Sequence, residues 1–187
     1  MKTTIEKVFE IDQPVNKVWN MLSNPAEIVV CVPGASITEK IDEKNYKGKV
    51  SMKFGPVKTN YAGDIEILEM DTDNKKMILK GVGLDAKGKG SAEMLMNGQV
   101  AEKEGGSEVT YSMDISITGK LAQFGARLVH DVSDQLLKQF VQNFKNELSK
   151  VEGDATDATD ESLNAGSLVG GIIKDKLGGM FGGNKDA

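Results

Sequence analysis

Apolar residues recur with different periods in different parts of the chain. Near the N-terminus, TIEKVFEID alternates polar and apolar residues, which is typical of a strand with one buried face. The next stretch, QPVNKVWNMLSN, has the apolar spacing of a short helix, with Asp12 as a candidate cap and Pro14 in the first turn. AEIVVCVPG predicts a second short helix or turn that ends at Pro33 and Gly34.

The middle of the chain alternates with period two, which indicates about six antiparallel strands. The clearest are NYKGKVSMKF, NYAGDIEILEMD, KKMILKGVGL, KGKGSAEMLMNG and EVTYSMDISITG. Turns are predicted at residues 54–56 and at Gly105 and Gly106, and the glycines of GVGLDAKGKG suggest bulges or sharp curvature of the sheet.

A helical period then returns and predicts one helix from about Lys120 to about Lys150, roughly 45 Å long. Its apolar stripe consists of Leu121, Phe124, Leu128, Val132, Leu136, Phe140, Phe144 and Leu148. Because each strand has one apolar face and the helix has one apolar stripe, both are buried most simply if the sheet curves around the helix. We therefore predict an α+β fold, with a curved antiparallel sheet wrapped around a long C-terminal helix.

The last part of the chain has a different composition. Residues 151–167 are acidic and rich in small polar residues, which predicts a flexible linker. Residues 168–187 form a glycine-rich amphipathic tail. The predicted organisation is thus one domain over residues 1–150, followed by the linker and the tail.

Charge is unevenly divided between the predicted domain and the tail. The net charge is −5, and residues 151–187, with seven acids and three bases, carry −4 of it. The near-neutral domain has no basic run, which argues against binding to nucleic acid. Cys31 is the single cysteine, so an internal disulfide or a multi-cysteine metal site is excluded, and we expect it to be a small buried apolar residue. No segment has the pattern of a signal peptide or a membrane span, and we expect a cytoplasmic protein.

Several stretches resemble a known family. The element order is similar to the helix-grip fold of the START and birch-pollen-allergen superfamily, and PVNKVWNMLSNPAEIVVCVPG resembles its first helix pair, closing on a Cys-x-Pro-Gly turn. KFGPVKTNYAGDIEI, GKGSAEMLM and, most discriminating, TGKLAQFGARLV resemble the subgroup known as the G subunit of carbon monoxide dehydrogenase. The resemblance covers residues 1 to about 150. Asn24 departs from the aspartate expected before Pro25, which affects a helix terminus rather than chemistry.

The resemblance implies a non-catalytic accessory protein without a covalently bound cofactor. Members of the subgroup are encoded beside molybdenum hydroxylases such as carbon monoxide dehydrogenase and are thought to recruit that enzyme to the membrane. Some are proposed to carry a quinone in the grip cavity, and several have a variable tail that contacts the membrane. For this chain, the resemblance implies a quinone or lipid ligand, a molybdenum hydroxylase partner and a peripheral location at the inner membrane face.

Ten apolar or aromatic residues are candidate ligand contacts in the predicted interior. They are Phe54, Tyr61, Met77, Met94, Met96, Tyr111, Met113, Leu121, Phe124 and Leu128. Methionine adapts to irregular apolar ligands, and the hydroxyl groups of Tyr61 and Tyr111 could bond a ligand carbonyl. The alternative is that these residues pack together as a filled core, which would favour a scaffold or assembly factor without ligand.

An enzyme of the cyclase or hydrolase type is the other alternative, and it requires a reactive group in the interior. We identify no catalytic residue and no metal site: no inward strand position holds an acid, and neither HExxH nor a phosphate-binding loop is present. The single histidine, His130, has Arg127, Asp131 and Asp134 nearby, which predicts a solvated position at the rim of the cavity.

The tail has an apolar stripe on a weak helix. The stripe consists of Leu168, Ile172, Ile173, Leu177, Met180 and Phe181. Glycine lowers helix stability in water, so folding on an apolar surface is favoured. We expect reversible docking on a membrane or on a partner enzyme, and the sequence does not separate these from a tail that covers its own domain or stays unfolded.

Overall fold

The computed structural model describes residues 1–54, 57–88 and 90–156. These residues form seven strands: β1 (Lys2–Ile11), β2 (Ala35–Lys40), β3 (Asn45–Phe54), β4 (Val57–Asp71), β5 (Lys76–Asp85), β6 (Ser91–Lys103) and β7 (Gly106–Ile117). The α-helices are α1 (Val15–Leu22), α2 (Pro25–Ile28) and α3 (Gly125–Thr156), and short 3₁₀ segments cover Val29–Cys31 and Gly119–Phe124.

The strands form one antiparallel sheet in the order β1-β7-β6-β5-β4-β3-β2. The predicted fold class, a curved antiparallel sheet with a long C-terminal helix, is confirmed. The N-terminal strand and the five middle strands named from the sequence are all present. Strand β2 was not singled out, because Ala35–Lys40 contains a single large apolar residue, Ile37, and pairs only along one edge of the sheet.

The helices differ from the prediction at their ends. The long helix begins at Gly125 rather than near Lys120, because Gly125 has a φ of +76° that separates the preceding 3₁₀ segment from α3. It continues to Thr156, beyond the predicted end at about Lys150, since each residue added to an existing helix needs no new nucleus. At α1, the N-cap position is occupied by Pro14 instead of Asp12, whereas Asn24 caps α2 by accepting a hydrogen bond from the Ala26 amide.

Three glycines lie side by side on neighbouring strands of the sheet. Gly48 is paired with Gly63, and Gly63 with Gly83, across β3, β4 and β5. A Cβ atom on Gly63 would lie 1.8 Å from the carbonyl oxygen of Val82, so no side chain fits there. The glycines therefore allow the backbones to approach, consistent with the predicted curvature at Gly83. The bulge in β4 lies elsewhere, between Ile67 and Glu69.

The main core lies at the end of the sheet that carries α1 and α2. The C-terminal half of α3 contributes Phe144 and Leu148, which are buried with Trp19 and Cys31. Phe144 stacks on Phe140 with ring centroids 5.7 Å apart. The predicted burial of Cys31 is confirmed. We call this set, which also includes Ile11, Val18, Met21, Tyr46, Ile67, Met77, Val100 and Val109, the main core.

A second, smaller cluster closes the opposite end of the sheet. Tyr61, Ile117 and Leu121 are buried there, and Val129 from the N-terminal half of α3 packs against them. The amino group of Met1 donates a hydrogen bond to the Ile117 carbonyl, 2.8 Å away. The two halves of α3 thus contact different clusters, and the stretch of sheet between the clusters is the candidate site.

Candidate ligand-binding site

Met94, Met96 and Met113 lie on the concave face of the sheet, between the two clusters. We refer to these three residues as the methionine band. Met96 is paired with Met113 across β6 and β7. Met94 lies two residues before Met96 on β6, on the same face of the sheet. Alternation places them on this face, because every second residue of a strand points to the same side. All three are half-buried.

The methionine band is not packed into the core. Among the described residues, neither the main core nor the second cluster includes any of the three methionines, Tyr111 or Leu128. A protein interior normally packs at the density of organic crystals, so apolar side chains between a sheet and a helix are usually buried completely. Partial exposure on the concave face therefore indicates that α3 does not fill the space above these residues.

Gly98 marks open space beside the band. It lies on the concave face, paired with Tyr111 on β7 and with Met77 on β5. A Cβ atom on Gly98 would meet no heavy atom within 4 Å, although Met77 beside it is buried. At Gly81 the situation is reversed, because the Met94 side chain covers it, with Cγ 3.1 Å from the position of a Cβ. The concave surface is thus uneven, covered at Gly81 and open at Gly98.

The predicted ligand contacts do not all meet. Besides the methionine band, Tyr111 and Leu128 are half-buried, but Met77 belongs to the main core, and Tyr61 and Leu121 belong to the second cluster. Phe124 is 48% exposed, since it ends the 3₁₀ segment instead of lying on α3 as predicted. For Phe54 the backbone pairing with Val57 is described and the side chain is not.

Three polar contacts join α3 to the neighbouring strands. Nε2 of His130 lies 3.1 Å from Oγ1 of Thr3, and Nζ of Lys7 lies 2.6 Å from Oδ1 of Asp134. The hydroxyl of Tyr111 faces Ser133. Burial raises the pKa of Tyr111, and the interaction with Ser133 opposes that shift only in part. The Tyr111 hydroxyl therefore has a polar neighbour on α3.

These contacts refine the predicted position of His130. It is half-buried at the edge of the sheet and faces β1 rather than only its helical neighbours. Sequence reasoning did not pair it with Thr3, or Lys7 with Asp134, because each pair is separated by more than a hundred residues. Lys7 interrupts the apolar alternation of β1. This inward charge is the one feature of the sequence that could have indicated an acidic partner on α3.

We expect the ion pair of Lys7 and Asp134 to make stability depend on pH. The hydrogen bond from Lys7 is the main cause that holds the pKa of Asp134 below its usual value of 3.8. A lowered folded pKa stabilises the protein above the unfolded value and loses that contribution as the pH falls through the folded one. Asp134→Asn should therefore lower Tm by about 1–2 °C at pH 7, with the difference shrinking as the pH falls through the folded pKa of Asp134.

Thermal unfolding followed by circular dichroism at several pH values tests this expectation. Asp131→Asn is the matched control, because Asp131 is exposed on the same helix and forms no ion pair within the described residues. A Tm difference between wild type and Asp134→Asn that stays constant from pH 7 to pH 2 would show that the pair does not contribute.

The described residues hold neither a metal cluster nor a membrane-spanning helix. No group of three or more histidine, cysteine or acidic side chains there could hold a metal ion. None of the helices in residues 1–54, 57–88 and 90–156 combines the length and the hydropathy needed to cross a bilayer. The predicted docking stripe at Leu168, Ile172, Ile173, Leu177, Met180 and Phe181 lies outside the described residues.

The same architecture occurs in solved structures of low sequence identity. A conserved protein from Geobacillus kaustophilus is 23% identical, with a TM-score of 0.70 over 79% of this chain and 96% of that one. Ara h 8.0201 is 13% identical, with a TM-score of 0.51 over 80% and 99%. The Zhui aromatase/cyclase from Streptomyces sp. R1128 is 9% identical, with a TM-score of 0.51 over 81% and 94%. At these identities the likeness shows the fold alone, and that fold is the helix grip.

The family follows from the sequence match. Residues 8–149 match the family described as the G subunit of carbon monoxide dehydrogenase (CoxG). Since this range is most of the chain, the protein belongs to the CoxG family of carbon monoxide dehydrogenase subunits. No curated protein matched the sequence. The resemblance noted in KFGPVKTNYAGDIEI, GKGSAEMLM and TGKLAQFGARLV is thereby confirmed.

Proposed function

We propose that this protein is a non-catalytic accessory subunit that binds an apolar small molecule, a quinone or a lipid, above the methionine band. The observation that carries the proposal is the half-buried methionine band beside the open space at Gly98. Methionine side chains are flexible and polarizable, and they adapt to apolar ligands of irregular shape. A filled core would have buried them, so the scaffold alternative is less well supported.

The polar groups near the band suit binding better than catalysis. Lys7 and Asp134 neutralise each other, and the Tyr111 hydroxyl faces Ser133. General acid–base catalysis needs a group that is within hydrogen-bond reach of the substrate and is not occupied elsewhere. One of the solved neighbours is an aromatase/cyclase, but its identity of 9% supports no transfer of activity. We therefore favour a carrier over an enzyme.

Family membership supports a partner as well as a ligand. The family description names a subunit of carbon monoxide dehydrogenase, so we propose a molybdenum hydroxylase of that type as the partner. The accessory protein would help to recruit this enzyme to the membrane from the cytoplasmic side. The predicted tail stripe from Leu168 to Phe181 is the proposed second attachment point, on a membrane or on the partner.

Native mass spectrometry of the full chain, purified from a quinone-containing host and followed by solvent extraction, tests the ligand proposal. We expect a bound quinone or lipid at a substantial molar ratio. Menaquinone or ubiquinone analogues, added without vesicles, should bind to protein from which the original ligand has been removed. Recovery of no apolar molecule, together with no binding of added quinone or fatty acid, would contradict the carrier function.

A further inference from the structure

Charges on the folded part of the chain are separated between the two ends of the sheet. Successive hairpins of an antiparallel sheet lie at opposite ends. The connections β2–β3, β4–β5 and β6–β7 lie at the end with α1 and α2. These three connections and the β1–α1 connection carry exposed acidic residues, which include Asp12, Asp42, Glu43, Asp73 and Glu104. Two lysines at that end are paired with acids, Lys40 with Glu43 at 2.8 Å and Lys103 with Glu10.

The opposite end carries lysines instead. We call it the basic end and define it by Lys53, Lys58, Lys87 and Lys120, which are all exposed. Within the described part of the chain, none of these four lysines forms an ion pair. The nearest acid along the strands, Asp85, is half-buried on the concave side, where it is paired in register with Tyr61. The prediction that no inward strand position holds an acid is therefore wrong at Asp85, because the alternation of β5 continues through its last residue.

Backbone contacts hold these lysines near one another. Lys53 and Lys58 are directly paired across β3 and β4. The β5–β6 loop is fixed to β4 because the Ala86 amide donates to the Asn60 carbonyl, 2.8 Å away. Gly90 packs against Thr118 and Gly119, so the start of the 3₁₀ segment lies beside the same loop. Like charges directly opposite on paired strands are destabilising, so Lys53 and Lys58 together favour an anionic partner.

Large apolar side chains are exposed at the same end. Leu84, which precedes the β5–β6 loop, is 63% exposed, and Phe124 is 48% exposed. Lysines around exposed leucine and phenylalanine are typical of surfaces that bind anionic membranes, because the charges attract the headgroups while the apolar groups enter the interface. A nucleic acid would use the lysines but would gain little from Leu84, so the combination favours lipid.

The basic end is also where α3 packs less tightly. The buried residues of α3, Phe144 and Leu148, are in its C-terminal half, whereas Leu128 and Val132 in the N-terminal half are half-buried. The cluster that closes the basic end is therefore smaller than the main core at the other end.

We propose that the basic end docks on an anionic lipid bilayer, with Lys53 and Lys58 on the headgroups and with Leu84 and Phe124 entering the interface. The surface belongs to the folded domain and is distinct in sequence from residues 168–187. The docking itself rests only on the charge and exposure of these residues. Docking would allow an apolar ligand to pass between the bilayer and the concave face, and this second step rests on the proposed function.

Vesicle flotation of the full chain tests the docking. Vesicles of phosphatidylglycerol and phosphatidylcholine at 30:70, in about 0.1 M salt, are compared with pure phosphatidylcholine. Lys53→Glu/Lys58→Glu should lower the partition coefficient on the anionic vesicles more than about tenfold. The matched control, Lys44→Glu/Lys76→Glu, makes the same charge change at the acidic end and should lower it less than about twofold. Equal effects of the two double variants would overturn the proposal.

A fluorescent label separates docking of this end from attachment through the tail. Because Cys31 is buried, a cysteine introduced at position 84 can be labelled selectively with nitrobenzoxadiazole. Leu84→Cys should become at least about twofold brighter on anionic vesicles, and Asp73→Cys at the acidic end should not change. No change at position 84 on vesicles that bind the chain would refute the docking. Tighter binding of a 20-bp DNA duplex than of anionic vesicles, at the same salt, would refute it too.

The test of docking gives a result that is independent of the test of the proposed function. Quinone binding is measured in solution without vesicles, whereas flotation and labelling need no quinone. Loss of quinone binding with intact flotation would contradict the carrier function alone. Intact quinone binding with equal flotation of both double variants would contradict the docking alone.

Discussion

Phe144→Ala is expected to lower the free energy of unfolding by about 3–5 kcal/mol, the range found when a buried phenylalanine is truncated. Phe144 has no exposed surface, stacks on Phe140, and packs in the same cluster as Trp19. Phe140 is in turn in edge contact with Phe9 on β1, at 5.9 Å between ring centroids. Removing the ring would leave a cavity where the helix is held most firmly against the sheet.

Urea unfolding followed by the fluorescence of Trp19 measures this effect. Since Trp19 is the only tryptophan and is buried in the main core, its emission reports on the cluster that loses the ring. Phe124→Ala is the matched control, because it removes the same ring from a position that is 48% exposed, and it should cost less than about 1 kcal/mol. Similar losses for the two variants would mean that the main core does not hold α3.

Gly98→Leu is expected to remove bound ligand without loss of stability. The new side chain would project into the open space beside Tyr111 and Met77, where a ligand is proposed to lie. Glycine within a strand costs roughly 0.5–1 kcal/mol relative to alanine, so replacing it in an unobstructed position should keep or raise stability. We expect the molar ratio of extracted quinone or lipid to fall at least about tenfold, corresponding to about 1.4 kcal/mol of binding free energy.

The measurement is mass spectrometry of the extract, combined with urea unfolding of the same preparation. Asn97→Leu is the matched control, because Asn97 is the neighbouring residue on β6 and lies exposed on the convex face. It adds the same side chain on the other side of the sheet and should leave the ligand content unchanged. Full retention of ligand by Gly98→Leu would exclude the space at Gly98 as the binding site.

Much of the candidate site could be predicted because strands alternate strictly. Once Met94 and Met96 are assigned to one face of β6, hairpin pairing brings Met113 to the same face. Gly98 was not found, since a glycine offers no apolar signal and its importance lies in what is missing above it. Phe124 was misplaced because the helical spacing continues through Gly125, although the positive φ of that glycine ends the geometry that the spacing assumes.

Local periodicity in the sequence determined the order of the elements and the face that each strand turns inward. Particular motifs, not periodicity, carried the family resemblance that the match of residues 8–149 confirmed. The order and the faces depend on neighbours in the chain, so they can be read from spacing alone. The tertiary structure decided how α3 is shared between the main core and the second cluster, which leaves the methionine band half-buried. It also decided the separation of charge between the two ends of the sheet and contacts such as that of Thr3 with His130. These depend on which distant residues the folded sheet brings together, and spacing along the chain carries no record of that.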